Sequence, residues 1–427
     1  MMRLFINSLA ASAGGGLTYI RNVVPLLDGR PDLRVTIVLN SGLRGEFHCS
    51  ENIEFLEVTV PAARRFWFEQ TELPGMIRHS RANVLLSTGN ISLRRSPIPQ
   101  ILLSRNSIYL SPDFYRDLRA RGEYRVWLDT RLRAMIARKS IVWADLTVAP
   151  SEAFASELAR WTGRNILAVH HGFDGDNFTQ NSDSLAPDIQ EKLNAAKGSL
   201  RILFVSHYNY YRNFETLIQS LPLLRERLSS RSIKLLLTCR LAPGRNPGNY
   251  NPESAQSLVK KLGVSDMVVE LGSIPYRQLH RVYASADIYV TPAYTETFAH
   301  PLVEAMASGV PIVASDLPVH REICEDAAVY FSKFSPPMLA ERISQIASSP
   351  ESMSRMTAAG RLRARQFSWK AHVDKILDLC ARLANRTPSW EMSVKESVDP
   401  GISRQNLQSD RRENRSGAAL IGPTAPE

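Results

Sequence analysis

Short apolar runs recur along the first part of the chain, at Leu4–Ile6, Val35–Leu39, Ile53–Val58, Val84–Leu86, Ile101–Leu103, Leu146–Ala149 and Ile166–Val169. Many are Val/Ile/Leu-rich at consecutive positions, the pattern of a strand covered on both faces. Amphipathic stretches such as Leu17–Leu27 and Ser151–Leu158 lie between them and read as helices. Strand–helix alternation predicts a parallel, doubly wound sheet. Around Gly172–Gly198 the texture changes to Gly, Asp, Asn, Ser and Pro, which reads as an interdomain connection. The alternation then restarts at Ile202–Val205, Ile233–Leu237, Met267–Leu271, Ile288–Val290, Ile312–Ala314 and Val329–Phe331. The reading is therefore two α/β domains, residues 1–180 and 181–384. A late amphipathic helix over 367–384 is expected to cross back to the first. The polar tail at 385–427 is expected to be disordered.

A length of 427 residues accommodates two such domains. Composition adds one asymmetry. The net charge is +10, and between Pro61 and Lys139 fifteen basic side chains face six acidic ones. Such a patch suits an anionic partner, although a solvated, Arg-rich helical face accounts for it equally well. Phe66, Trp67 and Phe68 lie within it, which fits contact with an anionic bilayer. Cys49, Cys239, Cys324 and Cys380 are far apart and form no CxxC spacing, so a reducing cytoplasm is expected. No window approaches 18 uncharged apolar residues. The start, MMRLFINSLAASAGGG, reads as a strand entering a glycine turn. Its apolar stretch is too short, and its single Arg3 too weak a basic region, for a secretory leader.

Candidate chemistry concentrates in Thr291–Asp316, TPAYTETFAHPLVEAMASGVPIVASD. The pattern predicts a strand ending at Val290, a loop, and a helix from about Pro301 to Ser308. Pro301 suits its first turn, and Gly309 with Pro311 its end. Free amides around Phe298, Ala299 and His300 would form an anion site at the helix start. Glu304 could accept two hydrogen bonds from a vicinal diol such as a ribose, and Glu296 could hold a hydroxyl beyond the phosphates. An acidic first turn, favoured by the helix dipole alone, is the simpler account of a lone Glu pair.

The segment resembles the E-x7-E signature of family 4 glycosyltransferases. Glu296, Phe298, Pro301, Glu304, Ala305, Met306, Ala307, Gly309, Pro311 and Ala314 fall at matching positions. It departs at Thr297, at Ala299 where Gly is common, and at His300. Val205–Leu217, VSHYNYYRNFETL, is similar to the family's G-R-L-x-x-x-K-G stretch. Arg212 stands for the Lys, Asn213 for the Gly and His207 for the Arg. Gly15–Gly16 before Leu17 match the family's N-terminal G-G turn. Ala144–Ser151 and His171–Phe178 resemble further landmarks of the family. Asp174-Gly-Asp176 also reads as DxD, a metal motif of the other glycosyltransferase fold, but it falls in the linker. The resemblance covers about Arg3–Ala384 and is looser in the first domain. There SRNSIYLSP, Ser104–Pro112, places Arg105 and Asn106 where family members carry an acceptor-side His.

The resemblance implies a GT-B fold, two Rossmann-like domains facing a central cleft. It also implies transfer of a sugar from a nucleoside diphosphate to an acceptor hydroxyl with retention at the anomeric carbon. Arg212 and Glu296 are then the catalytic candidates. Gly15, Gly16, His207, Phe298, Ala299, His300 and Glu304 bind the donor, GDP-mannose or a UDP-sugar. Arg105 and Asn106 lie on the acceptor side. No metal or cofactor is expected, because Arg212 and the helix amides supply the positive potential. The expected acceptor is a growing surface glycan, such as lipopolysaccharide or exopolysaccharide, on a lipid carrier at the inner face of the membrane. Three rivals explain less. A sugar-nucleotide epimerase needs acid and base residues that work without an acceptor. A nucleic-acid-binding protein leaves the two cleft carboxylates without a role. A dinucleotide oxidoreductase needs GxGxxG after the first strand, which AGGGL does not provide.

Overall fold

The computed structural model describes residues 1–385 apart from positions 12, 13, 49, 181, 247 and 249. The tail expected to be disordered, beyond Asn385, lies outside the described residues. The thirteen apolar runs form thirteen strands. In the first domain these are β1 (Met2–Asn7), β2 (Leu33–Asn40), β3 (Ile53–Val58), β4 (Val84–Ser87), β5 (Gln100–Leu103), β6 (Leu146–Ala149) and β7 (Leu167–Ala168). In the second they are β8 (Leu200–Phe204), β9 (Ile233–Leu237), β10 (Val268–Glu270), β11 (Ile288–Thr291), β12 (Ile312–Ser315) and β13 (Ala328–Phe331). The first sheet runs β3-β2-β1-β4-β5-β6-β7 and the second β10-β9-β8-β11-β12-β13. Every pairing is parallel. These are two Rossmann-like, doubly wound sheets.

Consecutive apolar residues on a strand reach opposite layers, and both layers are dry. Leu4 and Ile6 enter one cluster while Phe5 between them enters another. The helix Trp369–Ala384 closes the first of these layers. Its Trp369, Val373, Ile376, Leu377, Cys380 and Leu383 pack with Leu4, Ile37, Leu86 and Ile101. Gly172 in the linker makes that return possible, since a Cβ there would stand 1.9 Å from the Trp369 amide nitrogen. One element of the first half goes the other way. The helix Pro112–Ala120, started by Pro112 and capped by Ser111, sends Phe114 and Leu118 into the core around Leu200, Phe204 and Phe214.

The interdomain stretch is more ordered than its composition predicts. It contains a short helix at Gly175–Thr179 and a longer one at Pro187–Ala195, whose Ile189 and Leu193 are buried one turn apart. Among the described residues no helix is long and apolar enough to cross a membrane.

Candidate active site

Strand order reverses between β1 and β4 in the first sheet and between β8 and β11 in the second. Loops leaving the carboxyl ends of such strand pairs diverge to opposite faces and leave a crevice between them. The glycine run follows β1, Thr88–Asn90 follows β4, Val205–Asn213 follows β8, and Pro292–Ala299 follows β11. The topology therefore gathers the sequence motifs at these two crevices.

On the C-terminal wall, Arg212 ends a 3-10 turn and Nη1 donates to the Glu296 carboxylate. The side chains are 20% and 12% exposed. Burial alone would raise the Glu296 pKa, but Arg212 and the Thr297 amide, which donates at 3.1 Å, outweigh it and hold it lowered. For Arg212 burial works against the charge, and Glu296 more than restores it. Nε of Arg212 is buried without a partner among the described residues. His207 is pushed down by burial and by Arg212, so of the pair Arg212 is the permanent cation.

The two positions at which glycine is common in the resembling family both keep a left-handed backbone. Asn213 has φ 55° and Ala299 φ 63°. Asn213 compensates. Its amide donates to the Pro292 carbonyl at 3.0 Å and its Oδ1 accepts from Thr216 at 2.8 Å. Ala299 has no side-chain polar group to compensate with, and it caps the helix His300–Ala307. Phe298 is buried in the second core. The His300 ring stacks on His171, centroids 5.3 Å apart, and faces Trp369 at 5.9 Å; burial pushes its pKa down to about 4. Its ring thus packs among linker and C-terminal-helix side chains, which leaves the backbone amide as the part suited to a ligand. Glu304 is buried in the helix. Tyr283 donates its hydroxyl to the carboxylate at 2.9 Å, and burial pushes the Glu304 pKa up to about 7.

On the N-terminal wall the glycines do not precede the helix as a turn; they open it, at Gly14–Val23. A Cβ on Gly16 would meet the Ala11 Cα at 3.3 Å, which is the reason for glycine there. Arg105 donates to the carbonyls of Gly15 at 3.2 Å and Thr88 at 2.6 Å, and lies over the Tyr19 ring at 4.6 Å. Burial pushes it down to about 10. Asn106 caps its own turn by accepting from the Ile108 amide at 3.3 Å. The fold thus joins Arg105 to Gly15 and Arg212 to Glu296, and leaves Asn106 with a local task. Asp174 likewise caps the linker helix through the Asn177 amide at 3.0 Å.

Between the walls, Ser151 donates to the Thr297 carbonyl at 2.8 Å, Tyr294 donates to Asp117 at 2.9 Å, and Arg121 binds Glu215 at 2.9 Å. A cavity of about 480 Å³ opens beside Glu296, walled by Trp161, Tyr294, Asp113, Arg160, Asp316 and Lys333. Tyr283 and His320 escaped the sequence reading. Tyr283 holds Glu304 from 21 residues upstream. His320 is held by the Ser315 carbonyl at 2.9 Å and lies within electrostatic reach of Glu296. No linear spacing signals either.

Residues 186–363 match the family described as glycosyl transferases group 1. A D-inositol 3-phosphate glycosyltransferase of Corynebacterium aurimucosum is 28% identical over 220 residues, 51% of each chain. That of Streptomyces griseus is 25% identical over 252 residues, 55% of this chain and 53% of the relative. The matched part spans about half the length of these curated relatives. Sucrose-phosphate synthase from Thermosynechococcus elongatus shares the fold at a TM-score of 0.70 and 17% identity, over 90% of this chain and 99% of that one. Anabaena HepE in complex with UDP-glucose does so at 0.65 and 16%, over 90% and 100%.

Proposed function

From the match of residues 186–363 to the family described as glycosyl transferases group 1, we propose that the chain moves a sugar from a nucleotide-sugar donor to an acceptor hydroxyl with retention of configuration. The observation that carries this reading is the C-terminal wall. One cation, one carboxylate bound to it, a left-handed Ala299 opening a helix, and a second buried carboxylate lie around one switch point. A diphosphate entering there takes over the Arg212 guanidinium and the amides at Phe298–His300, and so releases Glu296 to the donor sugar. Glu304 receives the ribose diol. As the glycosidic bond breaks, the leaving diphosphate gains charge, and Arg212 opposes that charge at fixed geometry. The same diphosphate accepts the proton of the acceptor hydroxyl as the acceptor attacks from the face it leaves.

The donor is a UDP-sugar or GDP-mannose. UDP-glucose, bound in the Anabaena structure, is the first to test. The acceptor is a growing surface glycan on a lipid carrier, which places the reaction at the inner face of a membrane. The test is a panel of sugar nucleotides read by thermal stabilisation and by donor hydrolysis, with and without excess EDTA. One donor should stabilise the protein, and its turnover should survive chelation. Loss of turnover on chelation, restored by Mn²⁺ or Mg²⁺, would return Asp174 and Asp176 to consideration.

A further inference from the structure

The helix Tyr124–Trp143 has a face that the described residues leave uncovered. Its inner side is made by Thr130, Ala134, Ala137, Ser140 and Ile141, which are buried. Outward point Tyr124, Leu128, Leu132, Met135 and Val142, between 48% and 66% exposed. Spacings of four, four, three and seven residues place all five on one stripe of an α-helix. The residue interrupting the last interval is Lys139, whose apolar stem can lie along the stripe with its ammonium at the rim. Large apolar side chains exposed singly are ordinary, but a stripe of five on 20 residues is not.

The cations are arranged around this stripe. The helix carries five basic residues, Arg125, Arg131, Arg133, Arg138 and Lys139, against one acid, Asp129. At 100° per residue, Arg131 and Arg138 border one side of the stripe and Arg125 the other. Arg133 pairs with Asp129 at 2.7 Å, and Arg131 lies over Tyr115 at 4.0 Å. Arg125, Arg138 and Lys139 form no ion pair among the described residues. Tyr109 is within electrostatic reach of both Arg133 and Arg65. That links the face to the helix Arg65–Thr71, where Trp67 is 67% exposed. Phe68, by contrast, packs inward against the core around Phe5 and Leu73, so of the three adjacent aromatics Trp67 is the one fully available to a partner.

We propose that this face is a docking surface for an anionic lipid bilayer, with the helix lying in the plane of the headgroups. An apolar stripe a few side chains wide, bordered by cations on both sides, matches a surface that is apolar below and negatively charged at its rim. A protein partner of comparable affinity would need complementary apolar knobs and paired acids at fixed spacing. A fluid anionic surface supplies both without register.

The experiment is co-sedimentation of the full chain with vesicles of phosphatidylcholine alone and of phosphatidylcholine with 30% phosphatidylglycerol, without any nucleotide sugar. Binding should require the anionic lipid and fall with salt. Replacing Arg125, Arg138 and Lys139 by Ala should lower partitioning by roughly a hundredfold, since each cation near such a surface contributes about fivefold. The triple variant Leu128→Gln, Leu132→Gln, Met135→Gln should abolish the salt-resistant part. These side chains are exposed, so circular dichroism and Tm should be unchanged, and donor binding by calorimetry should match the wild type. That separates failure of this surface from failure of the proposed transfer. Equal binding to both vesicle types, wild-type binding by either variant, or a concentration-dependent dimer that both variants dissolve would overturn the proposal.

Discussion

The two walls of the cleft each hold a largely buried arginine, Arg212 and Arg105, and use it in opposite ways. Arg212 is matched to a carboxylate on a neighbouring loop, a partner that an incoming diphosphate can replace. Arg105 is spent on two backbone carbonyls and an aromatic face, none of which can move without unmaking the fold. A cation held by an exchangeable anion is poised for chemistry, whereas one held by backbone oxygens acts as a rivet between helix start and strand end. Under the proposed function, substitutions at Arg212 should therefore act on chemistry and those at Arg105 on stability.

The largest effect should come from Arg212. Arg212→Ala is expected to lower turnover by about 10²–10³-fold at saturating donor, with a smaller loss of donor affinity. It also strands Glu296 and should lower Tm, whereas Arg212→Lys recovers part of both. Steady-state turnover beside a direct binding constant decides the matter, and normal turnover in Arg212→Ala would assign the contact with the leaving diphosphate to another residue. Arg105→Ala should invert the pattern. Unpairing two carbonyls costs about 1–3 kcal/mol of stability, read by chemical denaturation, with turnover of the folded fraction largely kept. Equal loss of turnover in both variants would show that the two arginines do the same work.

Glu304→Ala should weaken nucleotide binding by about 1–3 kcal/mol in calorimetry. The carboxylate has a further signature. Burial raises its pKa to about 7, and the ribose diol needs the ionised form as acceptor. Affinity for the intact nucleotide sugar should therefore rise with pH through about 7, by up to about tenfold per unit on the acid side. His300, His320 and His372 are each pushed to about 4 and do not titrate there. Glu304→Gln should flatten the profile.

The smallest effects concern the two left-handed residues. Ala299→Gly should be neutral to stabilising by up to about 1 kcal/mol, because glycine removes a steric penalty of about 1–2 kcal/mol and returns part of it as chain entropy. Asn213→Gly should destabilise by about 1 kcal/mol, since it loses two hydrogen bonds for no relief of comparable size. Denaturant midpoints of the two variants shifting together would show that the side chain at position 213 does nothing.

What could be read from the sequence divides along the same line. The strands were visible as short apolar runs, unbroken in the central strands because those are buried on both faces. The predicted helix at 301–308 is found at His300–Ala307. Glu296 and Glu304 were legible because a single loop and helix turn carry them both, so their relation is written locally. Arg105 was not, because its partners at Gly15, Tyr19 and Thr88 are brought to it only by sheet order. The helix Pro187–Ala195 was missed because polar texture outweighed a proline start and the Ile189–Leu193 pair. Tyr283 and His320 depend on packing between distant segments, for which a single sequence has no periodic signal.

The helix Trp369–Ala384 has a consequence for how the chain is made. The layer it completes is otherwise built from residues up to Val169. A nascent chain that has released its first 180 residues from the ribosome therefore presents a sheet with one face still open. That face closes only after a further two hundred residues have emerged, when the second domain is already able to fold. The first domain is synthesised first and finished last. Truncation ahead of Trp369 should accordingly leave a protein that a chaperone retains, although every strand of both sheets is present.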